Sequence, residues 1–93
     1  MRDLKECRVD IDRIDEQISK LYEERMKICG EIADYKIANN LKIRDEKREE
    51  EIIGNVCSIA SDSYNKDALI RIFKLIMSTS RELQARKIIE GDL

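Results

Sequence analysis

The hydrophobic residues in the first part of the chain recur at spacings of three and four, which places them on one face of an α-helix. The pattern begins after Asp3, which stands three residues before Glu6 as in a capping box, and it continues to about Ile37. Asn39 and Asn40 then provide a stop. We therefore predict a first helix of about 35 residues, roughly 50 Å long. Its apolar positions are Ile11, Ile14, Ile18, Leu21, Ile28, Ile32 and Tyr35.

The same spacing predicts two further helices. Asp45 is placed as the N-cap of the second helix, residues 61–65 form a turn, and the third helix ends near Gly91. The inward positions of the second helix are Ile52, Ile53, Val56, Cys57, Ile59 and Ala60. Those of the third are Leu69, Ile70, Phe73, Ile76, Met77, Leu83 and Ile88. Since no strand pattern or repeat is present, we expect one all-α domain of three helices spanning residues 1–93.

The length of the first helix indicates that the protein is a dimer. Two shorter helices cannot cover an apolar face of about 50 Å and still form a compact monomer. We predict an intertwined homodimeric helical bundle in which the two long helices pair and the shorter helices wrap around both. An elongated coiled coil is the alternative, but Arg25 interrupts the apolar face and argues against a coiled coil as the complete structure.

Composition excludes several classes of protein. Eighteen basic residues against twenty acidic residues give a net charge of -2, which argues against a nucleic-acid partner. No apolar run has the length of a membrane span and no signal region is present, so we expect a cytoplasmic protein without a membrane partner. The three cysteines are widely spaced and histidine is absent, so we expect reduced core thiols, no metal and no histidine-based catalysis.

Polar side chains interrupt the apolar faces of all three helices. Arg25 lies within the apolar line of the first helix, where a guanidinium is costly unless it meets an anion. Lys36 follows eleven residues later and points within roughly 20° of Arg25. On the other two helices, the candidate site residues are Asp45, Arg48, Glu49, Ser80 and Gln84. Together these residues predict a pocket for a small anion.

Arg8 belongs to this set only through the predicted dimer. It precedes Arg25 by seventeen residues and lies about 100° around the helix, so it should not reach the pocket of its own chain. In an antiparallel dimer it could enter the pocket of the partner chain.

Each candidate also has a purely structural interpretation. Arg25 could extend from the edge of the apolar face to a carboxylate on another helix. Arg48 could belong to a solvated charged face, and Ser80 could bond its own backbone. Asp45 needs no role beyond capping a helix. Only the coincidence of all these residues favours a ligand site.

Three segments resemble the all-helical class of chorismate mutases, and the resemblance covers nearly the whole chain. The first is residues 8–15, RVDIDRID, continuing through Ile18 and Leu21 to Arg25 and Lys36. The second is residues 43–49, IRDEKRE, and the third is residues 73–84, FKLIMSTSRELQ. Each segment alone is ordinary helical sequence, but all three in this order and spacing are specific.

The resemblance implies an intertwined dimer whose two active sites each take Arg8 from the partner chain. It implies a cofactor-free isomerase that converts chorismate to prephenate in phenylalanine and tyrosine biosynthesis. Lys36 and Gln84 would donate to the ether oxygen, and Arg25 would bind the side-chain carboxylate together with Arg8. Glu49 would bind the ring hydroxyl. The residues sharing the ring carboxylate would be Asp45, Arg48 and Ser80, with Arg48 counted among the catalytic residues.

Two other functions remain open at this point. An enzyme of the same fold could act on isochorismate or aminodeoxychorismate, with the difference located near Glu49. Alternatively, the chain could be a helical adaptor that dimerises through its first helix. The adaptor hypothesis predicts that Arg25, Lys36 and Arg48 are exposed and paired with carboxylates.

Overall fold

Three helices account for almost all of the computed structural model, which describes residues 1–91. They are α1 (Leu4–Ala38), α2 (Glu46–Ile59) and α3 (Ser63–Gly91), and no strand occurs between residues 1 and 91. The three-helix, all-α prediction is therefore confirmed. The last two positions of the predicted domain, 92 and 93, lie outside the described residues.

Side-chain caps set where the helices begin. The Asp3 carboxylate accepts a hydrogen bond from the Glu6 backbone N–H at 2.8 Å, and Asp45 accepts from the Arg48 N–H at 3.0 Å. Both predicted caps are confirmed. The predicted turn over residues 61–65 is wrong in its second half, because Asp62 accepts from the backbone N–H of Asn65 at 2.7 Å. This bond satisfies one of the free donors of the first turn, so α3 begins at Ser63.

Helix α3 is the central element, since α1 and α2 both pack against it. The buried hydrophobic residues are few: Ala33 from α1, Val56 from α2 and Met77 from α3. The chain is correspondingly long and thin, with extents of 57 × 27 × 14 Å. A core this small leaves much of the apolar surface exposed in the single chain.

The apolar face of α1 is largely exposed in the single chain. Ile18 and Leu21, at the middle of that face, are 59% and 64% exposed. The prediction that Ile59 points inward is wrong for the single chain, where Ile59 is 79% exposed because nothing in residues 1–91 covers most of its side chain, and Ile88 is covered only in part at 38% exposure. None of the helices described has a segment apolar and long enough to span a bilayer.

Candidate active site

All three helices contribute to a cavity of about 290 Å³, a volume at the lower end of small-ligand sites. The seven site residues predicted from a single chain all line this cavity, which we call the cleft. They are Arg25, Lys36, Asp45, Arg48, Glu49, Ser80 and Gln84. Arg8 is exposed and does not line the cleft of its own chain, in agreement with its angular position on α1.

Arg25 brings an uncompensated positive charge into the cleft. Its side chain is half-buried, and Nη1 donates to the Ser80 hydroxyl at 3.0 Å and lies 3.7 Å from the Cys29 sulfur. No carboxylate among residues 1–91 comes within 4.0 Å of it, so the interhelical ion pair considered above is not formed. A half-buried guanidinium with only neutral partners favours binding of an anion.

Lys36 is held against the linker between α1 and α2. Its Nζ donates to the backbone carbonyl of Ile43 at 2.8 Å, and the side chain is half-buried. An ammonium group has three donors, so two N–H bonds remain for a ligand. Like Arg25, Lys36 has no carboxylate of the described chain within salt-bridge distance.

Helix α3 supplies two neutral polar side chains, Ser80 and Gln84, which are each only 7% exposed. The Ser80 hydroxyl accepts from Arg25 and donates to the Ile76 carbonyl at 2.9 Å, so its backbone bond and its contact with the site coexist. The Gln84 amide nitrogen donates to the Cys29 carbonyl at 3.4 Å, which is long for a hydrogen bond. These contacts hold both side chains in the interface between α1 and α3.

Asp45 and Arg48 are more exposed than the sequence predicted. Asp45 is exposed and caps α2. The Arg48 side chain is 60% exposed and lies 3.4 Å from Glu51, so the solvated-face interpretation describes it in this chain even though it borders the cleft. Its long, unbranched stem accounts for this, because the guanidinium reaches solvent from an inward position.

Two residues that line the cleft were missed by sequence reasoning. Cys29 contacts Arg25 and Ser80, and its position four residues after Arg25 on the same helix face was an available signal. Arg81 forms an ion pair with Glu49 at 2.5 Å across α2 and α3. No local spacing predicts this pair, because the two residues are 32 positions apart.

The fold and the cleft together define a class: an all-helical protein with a cleft between its helices that Arg25 and Lys36 line without a carboxylate partner among residues 1–91. The family model for chorismate mutase type II matches residues 7–85, and the chain belongs to this family.

Individual relatives agree with this assignment. The chain is 36% identical over 90 residues to a bifunctional chorismate mutase/prephenate dehydratase of Aquifex aeolicus, covering 92% of this chain and 25% of that relative. It is 28% identical over 88 residues to a chorismate mutase of Methanocaldococcus jannaschii, covering 94% of this chain and 89% of the relative. The chain thus spans about a quarter of the length of the bifunctional relative.

A solved structure shares the fold. Form II of chorismate mutase from Thermus thermophilus aligns with a TM-score of 0.85 at 26% identity, over 89% of this chain and 94% of that one.

Proposed function

We propose that residues 1–93 form a single domain that catalyses the rearrangement of chorismate to prephenate. One observation carries this proposal: Arg25 and Lys36 enter one cleft together with buried Ser80 and Gln84, and no carboxylate of residues 1–91 neutralises the two α1 cations. Such a cleft suits a small dianion, and chorismate carries two carboxylates. Membership of the chorismate mutase family supports this substrate.

The cleft's cations suit the two carboxylates of the substrate. An arginine can bind a carboxylate through two parallel hydrogen bonds, which fixes orientation as well as charge. We assign the side-chain carboxylate to Arg25, and the ring carboxylate to Ser80 and Arg48, with Asp45 contributing only through its backbone N–H at the start of α2, because its own carboxylate can only accept hydrogen bonds. The ring hydroxyl is assigned to Glu49.

The rearrangement needs neither a nucleophile nor a general acid or base. The ether C–O bond breaks while the new C–C bond forms in one concerted step. The protein has to hold the enolpyruvyl group over the ring and stabilise negative charge that builds on the ether oxygen. Lys36 Nζ and the Gln84 amide donate to that oxygen, and their bonds to Ile43 and Cys29 position them beforehand.

The exposed face of α1 supports a homodimer. Leu21 and Ile18 would be covered by the same face of a second chain, which is the interface geometry of a two-fold dimer. Arg8 lies on the same helix and outside its own cleft, and we propose that it enters the cleft of the partner chain, where it binds the side-chain carboxylate.

Mixing two inactive variants tests the shared site. Arg8→Ala and Lys36→Ala each damage every site in their own homodimers, whereas a mixed dimer contains one site with both residues intact. Co-refolding equal amounts should restore about a quarter of the wild-type activity, because about half of the dimers are mixed and each has one intact site. Each variant refolded alone is the control. If mixing restores nothing although mixed dimers form, Arg8 does not act across the dimer.

Replacing Gln84 by glutamate should make turnover depend on acid. A carboxyl group donates a hydrogen bond only when protonated, and a model glutamate has a pKa of about 4.3, whereas an amide donates at any pH. We therefore expect the kcat of Gln84→Glu to rise as pH falls, while the wild-type profile lacks this rise. The measurement is kcat against pH for both proteins. An unchanged profile would remove Gln84 from the ether-oxygen role.

Product analysis with related substrates tests the function itself. Chorismate, isochorismate and aminodeoxychorismate are supplied separately to the purified protein, and the products are identified by chromatography. We expect the conversion of chorismate to prephenate to be the most efficient of the three reactions. If the protein instead releases pyruvate from isochorismate faster, its function is that of a lyase with the same fold.

A further inference from the structure

Glu49 is held by an ion pair that joins α2 to α3. Arg81 Nη1 lies 2.5 Å from one carboxylate oxygen of Glu49, and Arg44 Nε lies 3.8 Å from the other. The side chains of Glu49 and Arg81 are 21% and 32% exposed, which makes this the least exposed ion pair among residues 1–91. A sheltered pair of this kind holds its geometry better than an exposed one, which is weakened by water and salt.

The pair also forms a wall of the cleft. Both side chains line the cleft and, in addition, an outer groove between α2 and α3 of about 630 Å³. Of these two cavities, Lys74 and Arg44 line the outer groove and not the cleft. In the structure, the bond to Arg81 holds the Glu49 carboxylate at the boundary between the cleft and the groove.

The ion pair with Arg81 leaves Glu49 able to accept a further hydrogen bond. Pairing with Arg81 offsets the charge of Glu49 but leaves it lone pairs, because a carboxylate offers about four acceptor positions. Glu49 can thus accept a hydrogen bond from a substrate hydroxyl while Arg81 holds it in place.

We propose that Arg81 is a positioning residue: it fixes the Glu49 carboxylate so that Glu49 accepts the hydrogen bond of the substrate's ring hydroxyl, and so makes the enzyme selective for substrates that carry this hydroxyl. This inference rests on the proposed function. Arg81 itself does not contact the reacting atoms. Replacing Arg81 should therefore have no effect on the rate with a substrate that lacks the ring hydroxyl.

The test compares wild type with Arg81→Met on chorismate and on its analogue with hydrogen in place of the ring hydroxyl. We expect Arg81→Met to lower kcat/KM for chorismate about tenfold to a hundredfold, as for loss of a hydrogen bond to a charged group. For the deoxy analogue, kcat/KM of Arg81→Met should stay within about twofold of the wild-type value. Arg81→Lys should recover part of the loss, because it restores the charge without the fork. Arg86→Met, an exposed arginine on the same helix, is the matched control.

Each other outcome has a distinct meaning. Equal losses on both substrates would show that Arg81 binds substrate directly or supports the fold, and would overturn the positioning role. Wild-type rates of Arg81→Met on chorismate would also overturn it. If the wild-type protein converts neither compound, the proposed function fails, and this inference fails with it.

Discussion

We expect Lys36→Ala to lower kcat for chorismate by about 10²–10³-fold or more, the loss typical of removing one preorganised donor to a developing oxyanion. In the proposed role, the lysine would bring both a hydrogen bond and a full charge to the ether oxygen, and its half-buried side chain has no carboxylate among the described residues within salt-bridge distance to weaken that charge. Steady-state kinetics measure the loss, and circular dichroism and the thermal midpoint report the fold.

The fold should survive this substitution. Within the described chain, the only bond lost is the one to the Ile43 carbonyl, and one such bond contributes about 1 kcal/mol to stability. Lys27→Ala is the matched control, since Lys27 is an exposed lysine on the same helix and is expected to keep full activity. Ordinary turnover of Lys36→Ala with normal helicity would show that the cleft is not the active site.

Arg25→Ala is expected to lower kcat/KM about a hundredfold or more while leaving stability unchanged or raised. The substitution would remove two parallel hydrogen bonds from the guanidinium to the substrate's carboxylate, and each hydrogen bond to a charged group contributes about 1.5–3 kcal/mol. Stability is not expected to fall with activity, because Arg25 has only the neutral partners Ser80 and Cys29 in the free protein. Removing a half-buried charge that lacks an anion relieves a desolvation cost.

Arg25→Met separates these two effects, because methionine fills much of the same space without charge. We expect its thermal midpoint to equal or exceed that of the wild type, with the same loss of activity as Arg25→Ala. Arg71→Ala, at an exposed arginine on α3, controls for general loss of positive charge. Strong destabilisation by Arg25→Met would mean that Arg25 holds the helices together, as a structural role would require.

The helices could be predicted because their signals are local. Asp3 and Asp45 cap α1 and α2 where the sequence placed them, and the Asn39–Asn40 stop ends α1. Asn40 adopts a left-handed backbone with φ of 55°, a conformation that asparagine tolerates better than most residues. The sequence does not single out Asp62 as a cap, because Asp62 stands among other turn-forming residues. The Asn65 backbone N–H donates to the Asp62 carboxylate, and α3 therefore begins earlier than the sequence predicts.

The membership of the cleft was predictable from polar residues on apolar faces, but the interactions within it were not. Four polar residues interrupt the apolar faces of the helices, which is visible in the sequence. All four line the cleft: Arg25, Lys36, Ser80 and Gln84. The partner of Glu49 is invisible because it lies 32 positions away on another helix. The same limit applied to Ile59, since a helical pattern marks an apolar position without showing which chain covers it.

The first measurement to make is the ultraviolet absorbance of chorismate after the purified protein is added. We expect the absorbance to fall much faster than in the spontaneous reaction, chromatography to identify the product as prephenate, and Arg25→Ala to lose this acceleration. If chorismate disappears only at the spontaneous rate in the presence of folded, dimeric protein, the proposed function is wrong.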